Sequence, residues 1–181
     1  MSSSLNKIWG SWCAALVLGA CSQVAPSVIA LEPGADAACA LDGMVLKDFP
    51  GPKAQILYAE GRPDYYCDLM ELFAVLQAPE QKRKVAAIFV QDMAKADWEH
   101  PSGHWIAARG ALFVVGSKKA GSMGPTFGAF STREAAAAFV QLEGGNIVAF
   151  DQITPAMLST GKHGMPMAHR DLHLTQPKET S

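Results

Sequence analysis

The sequence predicts an α+β fold of two tandem strand–strand–helix–strand (ββαβ) units, and three observations predict it. Two helical periods, Leu69/Leu72/Phe73/Leu76 and Ala135/Ala138/Phe139/Leu142, each follow short strand-like runs and precede a short, largely apolar one. Each helix carries start and stop signals: Asp68 with Glu71 and then Pro79, and Ser131 with Glu134 and then Gly144-Gly145. The exits echo each other, Val90-Gln91-Asp92-Met93 against Phe150-Asp151-Gln152-Ile153. One unit used twice is an α+β pseudo-repeat.

The chain of 181 residues opens on an address. Lys7 is followed by an uncharged stretch, 8–20, which is shorter than the roughly 20 residues of a membrane span and has the dimensions of a secretory signal. Leu18-Gly19-Ala20-Cys21 resembles the bacterial lipobox, with Gly19 a mild departure from it. That pattern implies removal of residues 1–20 and a multiply acylated Cys21, since one acyl chain anchors only weakly. The alternative is ordinary cleavage after Ala30, which discards Cys21. Residues 21–38 carry two prolines and no strong period, so they read as a flexible tether.

The first unit takes residues 39–97. Runs 54–58 and 64–67 flank the turn Gly61-Arg62-Pro63, the first helix follows Asp68, and 85–90 is a buried strand. The second unit takes residues 98–158, with strands at 106–108, 111–115 and 126–130, a helix after the Ser131/Glu134 capping box, and a strand at 147–150. The remainder, 159–181, is a flexible tail. Within it 161–173 lacks periodicity but holds three histidines and two methionines, which fits a metal-active or disordered end.

Composition removes several functions. A hydrophobic share of 49% with 18% charge places the chain among globular proteins rather than disordered ones. The balance of 15 basic against 17 acidic side chains, 14 against 17 once Lys7 leaves, lacks the basic surplus that nucleic-acid binding needs. The chain has no G-x-S-x-G, H-E-x-x-H, P-loop or G-x-G-x-x-G motif, so no enzyme is expected. His100 and His104, separated by Pro101 and Gly103, read as loop histidines beside Trp98 and Trp105. Spacing establishes no pairing among Asp48, Asp64, Asp68 and Glu71.

Sulfur is what remains. Cys13 leaves with the leader and Cys21 is taken by lipid, so Cys39 and Cys67 are the free thiols, open to one disulfide in an oxidising compartment. Thiolates and thioethers are the ligands that soft Cu(I) prefers, and a neutral thioether exchanges readily. Three donor groups stand out: Cys39 with Met44, Cys67 with Met70 at a helix start whose dipole would lower the thiol's pKa, and Met123 in the turn Gly121-Ser122-Met123-Gly124-Pro125. Met70, Met93 and Met157 also fit as core gap-fillers. Met44 fits core and ligand equally, whereas the turn around Met123 exposes its side chain.

At these residues the chain resembles the NosL family of copper-handling lipoproteins encoded beside bacterial nitrous oxide reductase. The resemblance rests on Gly43-Met44, Pro50-Gly51-Pro52-Lys53-Ala54-Gln55, Val90-Gln91-Asp92-Met93 with Trp98, and His104-Trp105-Ile106. It continues through Val114-Val115-Gly116-Ser117, Gly121-Ser122-Met123-Gly124, and Gly144-Gly145 with Phe150-Asp151. It implies two ββαβ units, as in organomercurial lyase. The implied function is a Cu(I) chaperone on the periplasmic face of the outer membrane. Such a protein, a monomer or weak homodimer, works with an ABC-type membrane complex to deliver copper to the reductase's copper–sulfur centre. Many members carry C-x-x-C-G-M where this chain has Asp42 in place of the second cysteine, which favours one thiol plus methionines. Carried over, the metal ligands are Cys39, Met44 and Met123, with Cys67, Met70, His163 and His169 in reserve. Two alternatives stand beside this: a thiol-dependent enzyme like organomercurial lyase, using Cys39, Cys67 and Asp42 or Asp68, and a structural lipoprotein with a Cys39–Cys67 disulfide.

Overall fold

The computed structural model describes residues 28–80 and 83–159. The predicted leader, the acylated Cys21, and the tail histidines His163 and His169 lie outside the described residues. In chain order the elements are β1 (Ala54–Tyr58), β2 (Asp64–Tyr66), α1 (Leu69–Gln77), β3 (Val85–Gln91), β4 (Trp105–Ala107) and β5 (Leu112–Val115). There follow β6 (Ala120–Gly121), β7 (Gly124–Pro125), β8 (Gly128–Phe130), α2 (Arg133–Glu143), β9 (Asn146–Ala149) and α3 (Pro155–Ser159). It is a mixed helix-and-sheet protein in which no helix among the described residues is long and apolar enough to cross a membrane.

The strands form a four-stranded sheet in the order β2-β1-β3-β4, a three-stranded sheet in the order β8-β5-β9, and the small hairpin β6-β7, all antiparallel. In both larger sheets the first strand lies between the second and the strand that follows the helix. The sheets share one core. Phe73 of α1 stacks edge-on to Phe113 of β5 at 5.1 Å between ring centroids and lies 5.2 Å from Phe150, which follows β9. α2 packs into a second, smaller cluster with Val114 and Phe130, where Phe139 meets Phe130 and the indole of Trp98.

Three elements differ from the sequence expectation. The strand read at 106–108 runs over Trp105–Ala107 and pairs with β3, so it extends the first sheet instead of opening the second unit. The cap of α2 is Thr132, whose side chain accepts from Ala135 N at 3.2 Å. Ser131 is engaged elsewhere, donating its hydroxyl to the buried Asp92 carboxylate at 2.6 Å. The run 126–130 contributes only Gly128–Phe130 to a sheet, because Thr126 turns inward to donate to Asp68 at 2.8 Å.

The expected tether is also fastened within the described part. The buried amide of Gln55 bonds both the N–H and the carbonyl of Leu31, at 2.8 and 2.9 Å, and Glu32 accepts from the indole N–H of Trp105 at 2.7 Å. Strand alternation sends Ala54 and Ile56 into the core and leaves Gln55 on the other face, where an exposed polar backbone can satisfy it.

Candidate metal centre

Two pieces of chain build the site. The first is the turn 39–44, closed by Cys39 N donating to the Met44 carbonyl at 2.8 Å and Gly43 N to the Cys39 carbonyl at 2.9 Å. Gly43 sits at φ +79°, a conformation glycine adopts without a Cβ penalty. The bond from Ala40 N to the Tyr65 carbonyl, 2.8 Å, fastens this turn to β2. The second piece is the β2–α1 junction, where Cys67 precedes the helix cap. Asp68 caps α1 as its spacing with Glu71 predicts, one oxygen accepting from Met70 N at 2.7 Å.

These pieces bring both thiols to one carboxylate. A single oxygen of Glu71 accepts from Cys39 Sγ at 3.1 Å and from Cys67 Sγ at 3.2 Å. Asp42 stands at the edge, 4.0 Å from Cys67 Sγ, and one ligand atom from each of Cys39, Asp42, Cys67 and Glu71 lies within 4.8 Å of the other three. Both cysteines are buried and free, so the disulfide alternative is not the state described. Asp42 occupies the place of a second cysteine in the turn, and Cys67, 28 positions after Cys39, lies in the same cluster.

The thiol chemistry is the reverse of what a helix start suggests. Cys67 is fully buried, and burial pushes its thiol up, with the Glu71 charge adding to the rise against a hydrogen bond from Ser122. Cys39 is likewise raised, again chiefly by burial. Desolvation outweighs the dipole here because no water reaches the sulfur. The metal-free site therefore holds its protons, and a thiophilic cation must displace them. Asp68 is raised to about 6 by burial, and its second oxygen has no hydrogen-bond partner among the described residues.

The β6–β7 hairpin covers this centre. Ser122 Oγ lies 3.1 Å from Cys67 Sγ, and the next residue, Met123, projects outward with 67% of its surface exposed. The hairpin can press this close because its neighbours are glycines. A Cβ on Gly121 would lie 2.5 Å from the free Asp68 oxygen, and one on Gly51 would lie 3.0 Å from Gly121 Cα. Met123 and Met70 line a common cleft of about 400 Å³ with Leu41, Asp68, Glu71 and Leu158, so Glu71 joins the thioether cleft to the thiols. Met44 is half-buried against the core and meets Cys39 through its carbonyl. Sequence reasoning singles out neither Glu71 nor Ser122 as part of the site, although Glu71 stands in the first turn of the helix that follows Cys67.

Fold and site together define a small α+β protein that gathers two buried thiols, two carboxylates and a methionine-lined cleft. The chain belongs to the NosL family, whose sequence profile matches residues 30–158. It is 40% identical over 151 residues to the copper-binding lipoprotein NosL of Achromobacter cycloclastes, covering 80% of this chain and 78% of that protein. It is 33% identical over 136 residues to the copper-binding lipoprotein NosL of Stutzerimonas stutzeri, covering 75% and 70%. The crystal structure of the copper chaperone NosL from Shewanella denitrificans superposes with a TM-score of 0.69 at 38% identity, over 72% of this chain and 99% of that one.

Proposed function

We propose that this chain is a membrane-anchored periplasmic Cu(I) chaperone that carries copper, as cargo, towards the copper–sulfur centre of nitrous oxide reductase. Its anchor is an acylated Cys21 in the outer membrane, and its delivery partner is an ABC-type membrane complex. The convergence of Cys39 and Cys67 on Glu71 carries this reading. Two sulfurs hold a soft d¹⁰ ion strongly, and the exposed thioether of Met123, with Met70 behind it in the cleft, offers neutral, exchangeable donors for entry and release. Met44, His163 and His169 remain further donors to the shell. The copper-binding names of the relatives support the cargo, and their lipoprotein names support the anchor.

The test is copper transfer. Cu(I)-loaded wild-type chain assembles the copper–sulfur centre in apo-reductase maturing in cells that lack the native gene, whereas chain carrying Cys39→Ser and Cys67→Ser does not. Equal assembly with the double variant would remove the function.

A second reading has one observation in its favour. Two thiols and a carboxylate in contact are also what protonolysis of a carbon–mercury bond requires, and Cys39, Cys67 and Glu71 supply them. Copper-binding relatives weigh against it, because a shared fold does not carry an activity. Turnover of a simple organomercurial by the purified chain decides it, and the chaperone reading expects none.

A further inference from the structure

Lys53 is the buried charge that the copper site leaves unused so far. It precedes β1, is 2% exposed, and no carboxylate among the described residues lies within ion-pair distance of its ammonium. A lysine is rarely buried without a counter-ion, because removing the charge from water costs several kcal/mol. Its three N–H groups are instead shared among four carbonyls around Nζ: Phe49 at 2.8 Å, Pro50 and Gly51 at 2.9 Å, and Cys67 itself at 3.2 Å. The register Ala54↔Tyr66 explains the last contact, since it sets Lys53 beside Cys67 at the ends of β1 and β2.

We propose that Lys53 is a positioning residue of the copper site: its buried ammonium fixes the Cys67 backbone and supplies the positive charge against which two thiolates and Glu71 hold the ion. This rests on the Cu(I) reading above. Loading releases the two thiol protons to solvent through the cleft and leaves two thiolates around one monovalent ion, a unit of net negative charge on two buried sulfurs. Burial lowers the Lys53 ammonium from its usual range to about 8, and Cys67, Asp68, Glu71 and Cys39 act against that by favouring its charged form. The geometry adds a second role. The carbonyls held by Lys53 belong to the loop 49–51, whose Gly51 N donates to the Trp98 carbonyl while the Trp98 indole donates to the Ala120 carbonyl. One ammonium thus ties the Cys67 wall to the hairpin carrying Ser122 and Met123.

The experiment is an anaerobic Cu(I) competition titration of the full chain in detergent, comparing wild type, Lys53→Met and Lys53→Arg. Lys53→Met should bind Cu(I) about 10- to 100-fold more weakly, the usual cost of losing a group that supports metal ligands from behind. Lys53→Arg, which keeps charge and donors, should recover most of that loss, and a merely space-filling role would not produce this rescue. Lys53→Met binding as tightly as wild type, or Lys53→Arg binding as weakly as Lys53→Met, overturns the proposal. Should Lys53→Met fail to fold, the wild type decides alone: with ¹⁵N-labelled lysine, the Lys53 Nζ resonance must shift on Cu(I) loading while that of exposed Lys95 stays, and an unmoved Lys53 signal overturns it. A wild type that binds no Cu(I) removes the chaperone reading along with this one, whereas the variant outcomes touch Lys53 alone.

Discussion

Glu71 Oε2 lies 3.2 Å from Cys67 Sγ, one helical turn away in the chain, and the same oxygen takes the Cys39 thiol at 3.1 Å. Both thiols are held protonated by burial and by that carboxylate. The centre is a store for protons that a thiophilic ion must expel, which makes binding and release sensitive to the same few groups.

Copper affinity should therefore rise with pH. Both thiol pKa values are raised, so each proton displaced on loading adds about tenfold in apparent affinity per pH unit below those values. Competition titrations between pH 6 and pH 8 check this, and a flat profile would mean that the thiols are not the groups displaced.

Replacing Glu71 by Gln removes a negative charge from between the sulfurs while keeping an acceptor. Thiol alkylation at pH 7 should speed up about three- to tenfold, because losing the neighbouring charge lowers the thiol pKa and raises the thiolate fraction. Unchanged kinetics would mean that burial alone sets the thiols.

Asp68 gives stability a defined pH dependence. Its carboxyl titrates near 6 in the folded protein against 3.8 for the ordinary group, so it binds its proton more tightly folded than unfolded. The stabilisation is fully present below about pH 4 and is lost as pH rises through 6, on the order of 2–3 kcal/mol in total. Asp68→Asn, which keeps the helix cap and cannot ionise, should flatten denaturant-melting midpoints across pH 4–7. A variant with the wild-type slope would place the effect elsewhere.

Gly121→Ala tests the hairpin. The added Cβ would meet the Asp68 carboxylate and Thr126 Cγ2 at 2.5 and 2.9 Å, so the hairpin must lift and Ser122 must leave Cys67. A loss of about 1–3 kcal/mol in stability is expected, together with weaker Cu(I) retention. A variant with wild-type stability and retention would show that the hairpin's seat is not needed.

Local elements were legible in the sequence wherever their cause is local. The period and cap of α1 and the bounds of β1 follow from neighbouring residues, and they stand where those residues place them. β4 is readable as a strand, but its partner depends on a long-range choice that spacing does not carry. Ser131 and Thr132 are equally good caps by type; the demand of buried Asp92 for a hydroxyl decides between them. The site divides the same way. Cys39, Cys67 and Met123 stand out by residue type, yet the meeting of the two thiols depends on the bond from Ala40 to Tyr65, which no motif encodes. Lys53 is invisible for a further reason, because a lysine in a sequence reads as surface.

The most direct measurement of the central claim is the anaerobic Cu(I) competition titration of wild type beside Cys39→Ser and Cys67→Ser. The paired-thiol centre predicts about one tightly held ion in the wild type and loss of most of the affinity, about 100-fold or more, in each variant separately. Wild-type affinity in Cys67→Ser would contradict it and return the site to one cysteine with methionines.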